Sequence, residues 1–219
     1  MAVTPIFASP ALPTELLRYI LQHCVYPTTL IVCSAKDDFL ASLAHDIAHN
    51  SAGDAGGRIA SASASELLTA SLQQLGVAKH IQTVFVPTVS HLRAYLSVFA
   101  VGAHTVPPPP SGPSKVPRLL LYGFLDIHRG TSEWTAQALS NTVSILLDAA
   151  SDLSFQATIV EPRTREGRTV SLESFLDERM PVVKGGARQD EQGNWMGRTV
   201  DAGRVLGRWF DYRKVEWER

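Results

Sequence analysis

Two short runs, Leu30-Ile31-Val32-Cys33 and Leu119-Leu120-Leu121-Tyr122, carry almost no polar side chain. A strand with one face in water alternates apolar with polar residues, so an unbroken apolar run marks a strand covered on both faces. Such strands belong to parallel sheets whose crossover helices pack above and below. The segments between the runs carry the matching signal. The spacing predicts a helix from Thr14 to about Cys24, capped by Thr14, with Leu16, Leu17, Ile20, Leu21 and Cys24 on one face. The strand at Thr28 to Cys33 leads to a helix from about Asp37 to Ala48, with Phe39, Leu40, Leu43 and Ile47 inward.

Farther on, residues 50 to 64 are small, polar and glycine-bearing, which reads as a loop. A helix at Ser65 to Leu75 precedes a strand at Ile81 to Val86, which Pro87 ends. The next helix turns Leu92, Tyr95, Leu96 and Phe99 inward. The prolines of residues 101 to 117 can enter neither a helix nor a central strand, so that stretch is an exposed loop, an insertion with polyproline character. A long helix over Ser132 to Ala150 and a strand over Phe155 to Val160 follow the second apolar run. Residues 161 to 203 are polar and arginine-rich, with apolar touches at Phe175 and Val182-Val183. The closing "RVLGRWFDYRKVEW" reads as a strand or hairpin edge. This organisation predicts one α/β domain over residues 1–219: a core over about 12–160, in three layers around a mostly parallel sheet, and a C-terminal extension over 161–219.

Composition narrows the function. The formal net charge of −1 draws the whole molecule to neither nucleic acid nor membrane, so any such contact needs a local patch. The two cysteines, Cys24 and Cys33, lie in apolar settings and read as buried free thiols of a reducing compartment. The first residues lack the basic start of a secretory signal, and no apolar run reaches the length of a membrane span. The expected location is cytoplasmic or nuclear.

Nucleotide-binding α/β proteins place a glycine-rich loop between an apolar strand and the helix that follows it. Here that connection is Ser34-Ala35-Lys36-Asp37-Asp38, without a glycine to let backbone N–H groups wrap a phosphate. Asp37 and Asp38 fall at the start of the helix, where their carboxylates satisfy the dipole and repel an incoming anion. At the end of the second apolar run, where an acidic residue would hold magnesium, stands Tyr122. Both halves of a magnesium–nucleotide site are missing, which predicts no bound nucleotide cofactor.

Other chemistry is sparse. His45 and His49 share the four-residue spacing of a zinc pair, yet the residue after the first is Asp46 rather than glutamate, and both histidines point away from the apolar face. Asp126 and His128 form a lone pairing. The sequence holds no nucleophile elbow, clustered cysteines or paired helix carboxylates, so an enzyme is not expected. The strongest functional lead is the C-terminal segment, where Arg204, Arg208, Arg213 and Lys214 interleave with Trp209, Phe210, Tyr212 and Trp217. Basic groups for phosphates and aromatic faces for bases suit single-stranded nucleic acid. The same residues also read as core or partner interface with a solvated rim. Residues 151–219 hold 12 basic and 12 acidic residues, so the region is not basic overall.

The strand–loop–helix of residues 28 to 48, "VFVPTVSHLRAYLSVF" over 84 to 99, and "RLLLYGF" over 118 to 124 with a long helix behind it resemble the core of the RecA-like recombinase paralogues. The likeness is to the small, divergent members of Shu-type complexes, which help a recombinase assemble on single-stranded DNA, and it covers residues 25 to 160. It implies that the family's phosphate loop falls on Ser34 to Asp38 and its magnesium aspartate on Tyr122. The resemblance then implies a non-catalytic, nuclear scaffold without a cofactor or metal. Such a chain would pair with another RecA-like or zinc-binding subunit in a hetero-oligomer and contact single-stranded DNA. An alternative that the same resemblance implies is a RecA-like accessory subunit of the Elongator tRNA-modification complex, which would be cytoplasmic. An α/β enzyme with an unrecognised site stands third.

Overall fold

A computed structural model describes residues 4–24, 27–52, 75–76, 78, 81–99, 117–165, 168–185, 187–189 and 195–217. Strand and helix alternate through the first part of the chain: β1 (Ile6–Ala8), α1 (Pro13–His23), β2 (Thr28–Val32), α2 (Lys36–Ala52), β3 (Ile81–Phe85), α3 (Val89–Ser97), β4 (Arg118–Tyr122), α4 (Ala136–Asp152) and β5 (Gln156–Val160). The polar region after β5 forms short pieces: β6 (Thr164–Arg165), β7 (Arg168–Thr169), α5 (Leu172–Leu176), β8 (Arg179–Pro181), β9 (Ala187–Gln189), β10 (Trp195–Gly197), β11 (Thr199–Asp201), α6 (Ala202–Leu206) and β12 (Asp211–Arg213).

Six strands form one sheet in the order β12-β1-β5-β4-β2-β3, and every pairing in it is parallel. Side chains alternate between two cores. Phe7, Ile31, Leu119, Leu121, Ala157 and Ile159 face α3, α4, α5 and α6, while Ile6, Ala8, Leu30, Val32, Leu120, Tyr122 and Val160 face α1 and α2. The architecture is therefore the three-layer, RecA-like α/β arrangement, with helices on both faces of a parallel sheet. The unbroken apolar runs have their explanation here. Leu30, Ile31, Leu119, Leu120 and Leu121 have no exposed surface, and each buried side chain of this size stabilises the fold by about 2 kcal/mol. Among the described residues no helix is long and apolar enough to cross a membrane.

Several boundaries differ from the sequence reading. β1 was not foreseen: it is three residues long, lies between Pro5 and Pro10, and cannot display a period, yet it is the second strand of the sheet. The α2 helix runs on to Ala52, and Leu40 is exposed rather than inward. Its buried stripe passes through Phe39, Leu43 and Asp46, at i, i+4 and i+7, so a carboxylate occupies a place that apolar counting assigns to carbon. The α4 helix starts at Ala136, not Ser132, because Thr135 caps it by accepting from the Ala138 N–H at 3.1 Å.

The C-terminal stretch is an edge strand only in part. It forms α6, turns at Gly207, and enters the sheet as β12, parallel to β1. A Cβ on Gly207 would lie 2.9 Å from the Gly203 carbonyl oxygen, so this turn requires glycine. The proline stretch over 101–116, most of the loop read at 50 to 64, and all but the end of the helix read at Ser65 to Leu75 lie outside the described residues.

Candidate functional site

In an open parallel sheet, ligands bind beyond the carboxyl ends of the strands, where neighbouring connections leave toward opposite faces. The strand order creates three such places. β1 and β2 lead to α1 and α2 on one face, while β5, β4 and β3 lead to the other, so they lie between β1 and β5, between β4 and β2, and between β2 and β3.

The β4–β2 crevice holds the residues read from the sequence. The Cys33 N–H donates to the Tyr122 carbonyl at 2.8 Å, and the Gly123 N–H donates to the Val160 carbonyl at 3.0 Å, extending the sheet by one step. Gly123 has φ +81, the left-handed turn that carries the chain out of β4. Ser34 is half-buried, and Ala35, Lys36, Asp37 and Asp38 are exposed, with both aspartates in the first turn of α2. Tyr122 points toward α1. Its hydroxyl donates to the Ala11 carbonyl at 3.0 Å, and its ring meets Phe39 edge-on with centroids 5.9 Å apart. Burial, reinforced by Glu161 and Asp46, pushes this phenol above its ordinary value, so it stays a protonated donor.

The β1–β5 crevice was missed along with β1. A helix amino end offers free N–H groups and a positive dipole end to an anion. At α1 those groups are already engaged. Pro10 and Pro13 have no N–H; the Ala11 N–H goes to the Glu161 carbonyl at 3.0 Å, and the Leu12 N–H to Glu15 Oε2 at 2.8 Å. The Thr14 N–H goes to Asp46 Oδ2 at 3.1 Å, and the Thr14 hydroxyl donates to the same oxygen. Glu15 also pairs with Arg163 at 2.7 Å. Two carboxylates thus occupy the amino end of α1, one of them brought from α2. The principle read at Asp37 and Asp38, acidic groups in an anion's place, operates most fully here, at Glu15 and Asp46.

Behind this lies a buried polar group. Glu161, just past β5, is fully buried; Oε1 accepts from the Leu125 N–H at 2.8 Å, and Oε2 has no hydrogen-bond partner. Burial pushes its carboxyl well above the usual range, with Asp126 adding and Arg129 opposing. Burial likewise raises the Cys33 thiol, which leaves it protonated and unreactive. Arg129 grips Glu178 through Nε at 2.6 Å and the neighbouring nitrogen at 2.8 Å, and also pairs with Asp126.

The other titratable candidates resolve into structure. His128 is buried, its Nδ1 faces the Phe124 carbonyl at 2.8 Å and its Nε2 faces the Thr142 hydroxyl at 3.2 Å. Burial lowers its pKa to about 4, so the ring is neutral, donating from Nδ1 to the carbonyl. His45 is exposed, and the His49 side chain lies outside the described residues. Among the described residues no three His, Cys, Asp or Glu side chains converge to hold a metal ion.

The C-terminal candidates separate into different places. Arg204 and Arg208 turn to a cleft of about 480 Å³ between α4, α6 and β11, where they meet Arg198. Trp209 is exposed, and Tyr212 packs edge-on against Phe7 while its hydroxyl donates to the Gly203 carbonyl at 2.5 Å. Alternation along β12 puts Arg213 on the opposite face of the sheet from Tyr212. Lys214 pairs with Glu173 at 3.1 Å. Phe210 and Trp217 are core residues; the Trp217 indole donates to the Ser9 carbonyl at 3.2 Å and meets Tyr19 edge-on. Arg198 could have been found from sequence only by knowing that β11 brings it beside α6.

A scan against protein-family models finds no match to this chain, and a comparison with curated proteins finds none either.

Proposed function

We propose that this chain is a non-catalytic, RecA-like subunit of a nuclear complex that assists homologous recombination by helping a recombinase assemble on single-stranded DNA. One observation carries the reading: Glu15 and Asp46 fill the amino end of α1, a helix end that could otherwise take a phosphate. Tyr122, bonded to Ala11, fills the end of β4 where a magnesium-holding acid would stand. A fold of this class with both positions taken by its own side chains serves as a scaffold, and its work is assembly. The partner is another RecA-like or zinc-binding subunit, and the arginines beyond β5 supply the contact to DNA.

Two measurements test this. The purified chain should not turn over ATP in the presence of magnesium, and sustained turnover would overturn the non-catalytic reading. A tagged chain recovered from nuclear extract should bring down a RecA-like or zinc-binding subunit of a recombination complex. Recovery of Elongator subunits instead would overturn the recombination reading.

A further inference from the structure

The cleft between α4, α6 and β11 has a chemistry unlike the rest of the described surface. Arg198, Arg204 and Arg208 all line it, together with Gln137 and Ser140 from the first turns of α4, and no carboxylate does. Four arginines elsewhere find acids: Arg93 pairs with Glu133, Arg129 with Asp126 and Glu178, Arg163 with Glu15, and Arg179 with Asp201, while Arg118 donates to the Tyr19 hydroxyl. None of the three cleft arginines has an ion pair among the described residues.

The arrangement is built by the fold rather than by chance proximity on one helix. Arg204 and Arg208 stand four residues apart, on α6 and just past its end, and so share a side. Arg198 arrives from the other wall, immediately before β11, where its carbonyl accepts from the Val182 N–H at 3.1 Å. The β8–β11 pairing, Thr199 opposite Pro181, fixes that wall. Val200 and Val205 add apolar surface to the same lining.

We propose that this cleft is a phosphate-binding site. Each guanidinium presents a planar fork of donors, and a single carboxylate is satisfied by one such fork. Three forks reaching one cleft from two walls exceed what a carboxylate accepts, and they match the several oxygens of a tetrahedral phosphate or of two linked phosphates. The Gln137 amide and the Ser140 hydroxyl add neutral donors. The phosphate belongs either to the backbone of single-stranded DNA, as the proposed function would have it, or to a free phosphorylated compound.

The test uses the full chain, with pyrophosphate and a short oligothymidylate as separate probes in metal-free buffer, and polyglutamate as the carboxylate control. Both calorimetry and salt dependence are read. Pyrophosphate is expected to bind, and Arg198→Ala, Arg204→Ala and Arg208→Ala should each weaken it by about tenfold. Arg213→Ala, on the far side of the sheet, should leave it unchanged. All three cleft arginines are exposed, so their variants keep the core, and an unchanged melting temperature checks this. If oligothymidylate binds as well, each alanine should reduce the slope of log affinity against log salt by about 0.7.

Pyrophosphate binding without oligonucleotide binding leaves the cleft established as a site for a free phosphate compound and removes the DNA contact from the proposed function. Oligonucleotide binding that survives loss of all three arginines, with no pyrophosphate binding, overturns the cleft and leaves the DNA reading standing. Polyglutamate binding more tightly than pyrophosphate, or no binding by any probe, also overturns it.

Discussion

The carboxylate of Asp46 reaches from α2 to the amino end of α1 and there accepts both the backbone N–H and the hydroxyl of Thr14. All of these groups are buried, Thr14 being 3% and Asp46 7% exposed. Water therefore cannot replace the bond readily, and the contact ties the two helices of one layer together at the point where a bound anion would otherwise do so.

Removing that carboxylate should be costly. Asp46→Ala strands a buried N–H and a buried hydroxyl, at about 1–3 kcal/mol each, so a loss of about 2–6 kcal/mol is expected in urea denaturation. Asp46→Asn keeps one acceptor oxygen and should lose about half as much. An alanine variant with the wild-type midpoint would show that this contact does not hold the helices.

Trp217 is the cover of the α1-side core. It is 4% exposed, packs on Tyr19 and bonds to Ser9. Trp217→Ala should cost about 3–5 kcal/mol, the range for a buried large aromatic. Trp217→Phe, which keeps the ring contact and gives up the indole donor, should cost less than half of that. Thermal melts of the two variants check the order.

His128 should set an acid limit to stability. Its folded pKa is about 4 against 6.5 for the free side chain. Between those values the unfolded chain binds the proton and the folded one does not, so stability is lost as pH falls from 6.5 toward 4. The full effect is on the order of 3 kcal/mol. A ring titration by NMR should find His128 neutral at pH 5.

Glu161 works in the opposite sense. Its folded pKa lies above its ordinary 4.5, so the folded chain keeps a proton that the unfolded chain has released. Its contribution is complete below pH 4.5 and is lost as pH rises through the folded value. Glu161→Gln, which imitates the protonated acid, should therefore flatten the high-pH side of the stability profile. A variant that declines as steeply as the wild type would place the cause elsewhere.

The sheet was legible because its central strands advertise themselves. Leu119 to Leu121 can be read as covered on both faces without knowing what covers them. β1 was not legible, since Ile6–Ala8 is too short for a period and stands between prolines. The closed anion seat was half legible. The absence of glycine at Ser34 to Asp38 is visible in the chain, but the carboxylates at α1 depend on Asp46, whose burial is a matter of which face α2 turns inward. Asp46 is visible beside His45 as a residue that does not fit a zinc motif, but no spacing shows that it turns inward to Thr14. The C-terminal arginines were legible as a cluster, but their division between a cleft and the opposite sheet face follows from the turn at Gly207, which no spacing announces.

The strand β12 pairs with β1, and Val215 and Trp217 close on Ser9, so the first strand described is completed by nearly the last residues described. A chain emerging from the ribosome can assemble β2, β4 and β5 while one flank of β1 stays open. Closure over more than 200 residues places the final step of folding after synthesis has passed residue 217. Until then one edge of β1 presents unpaired backbone groups to any other strand.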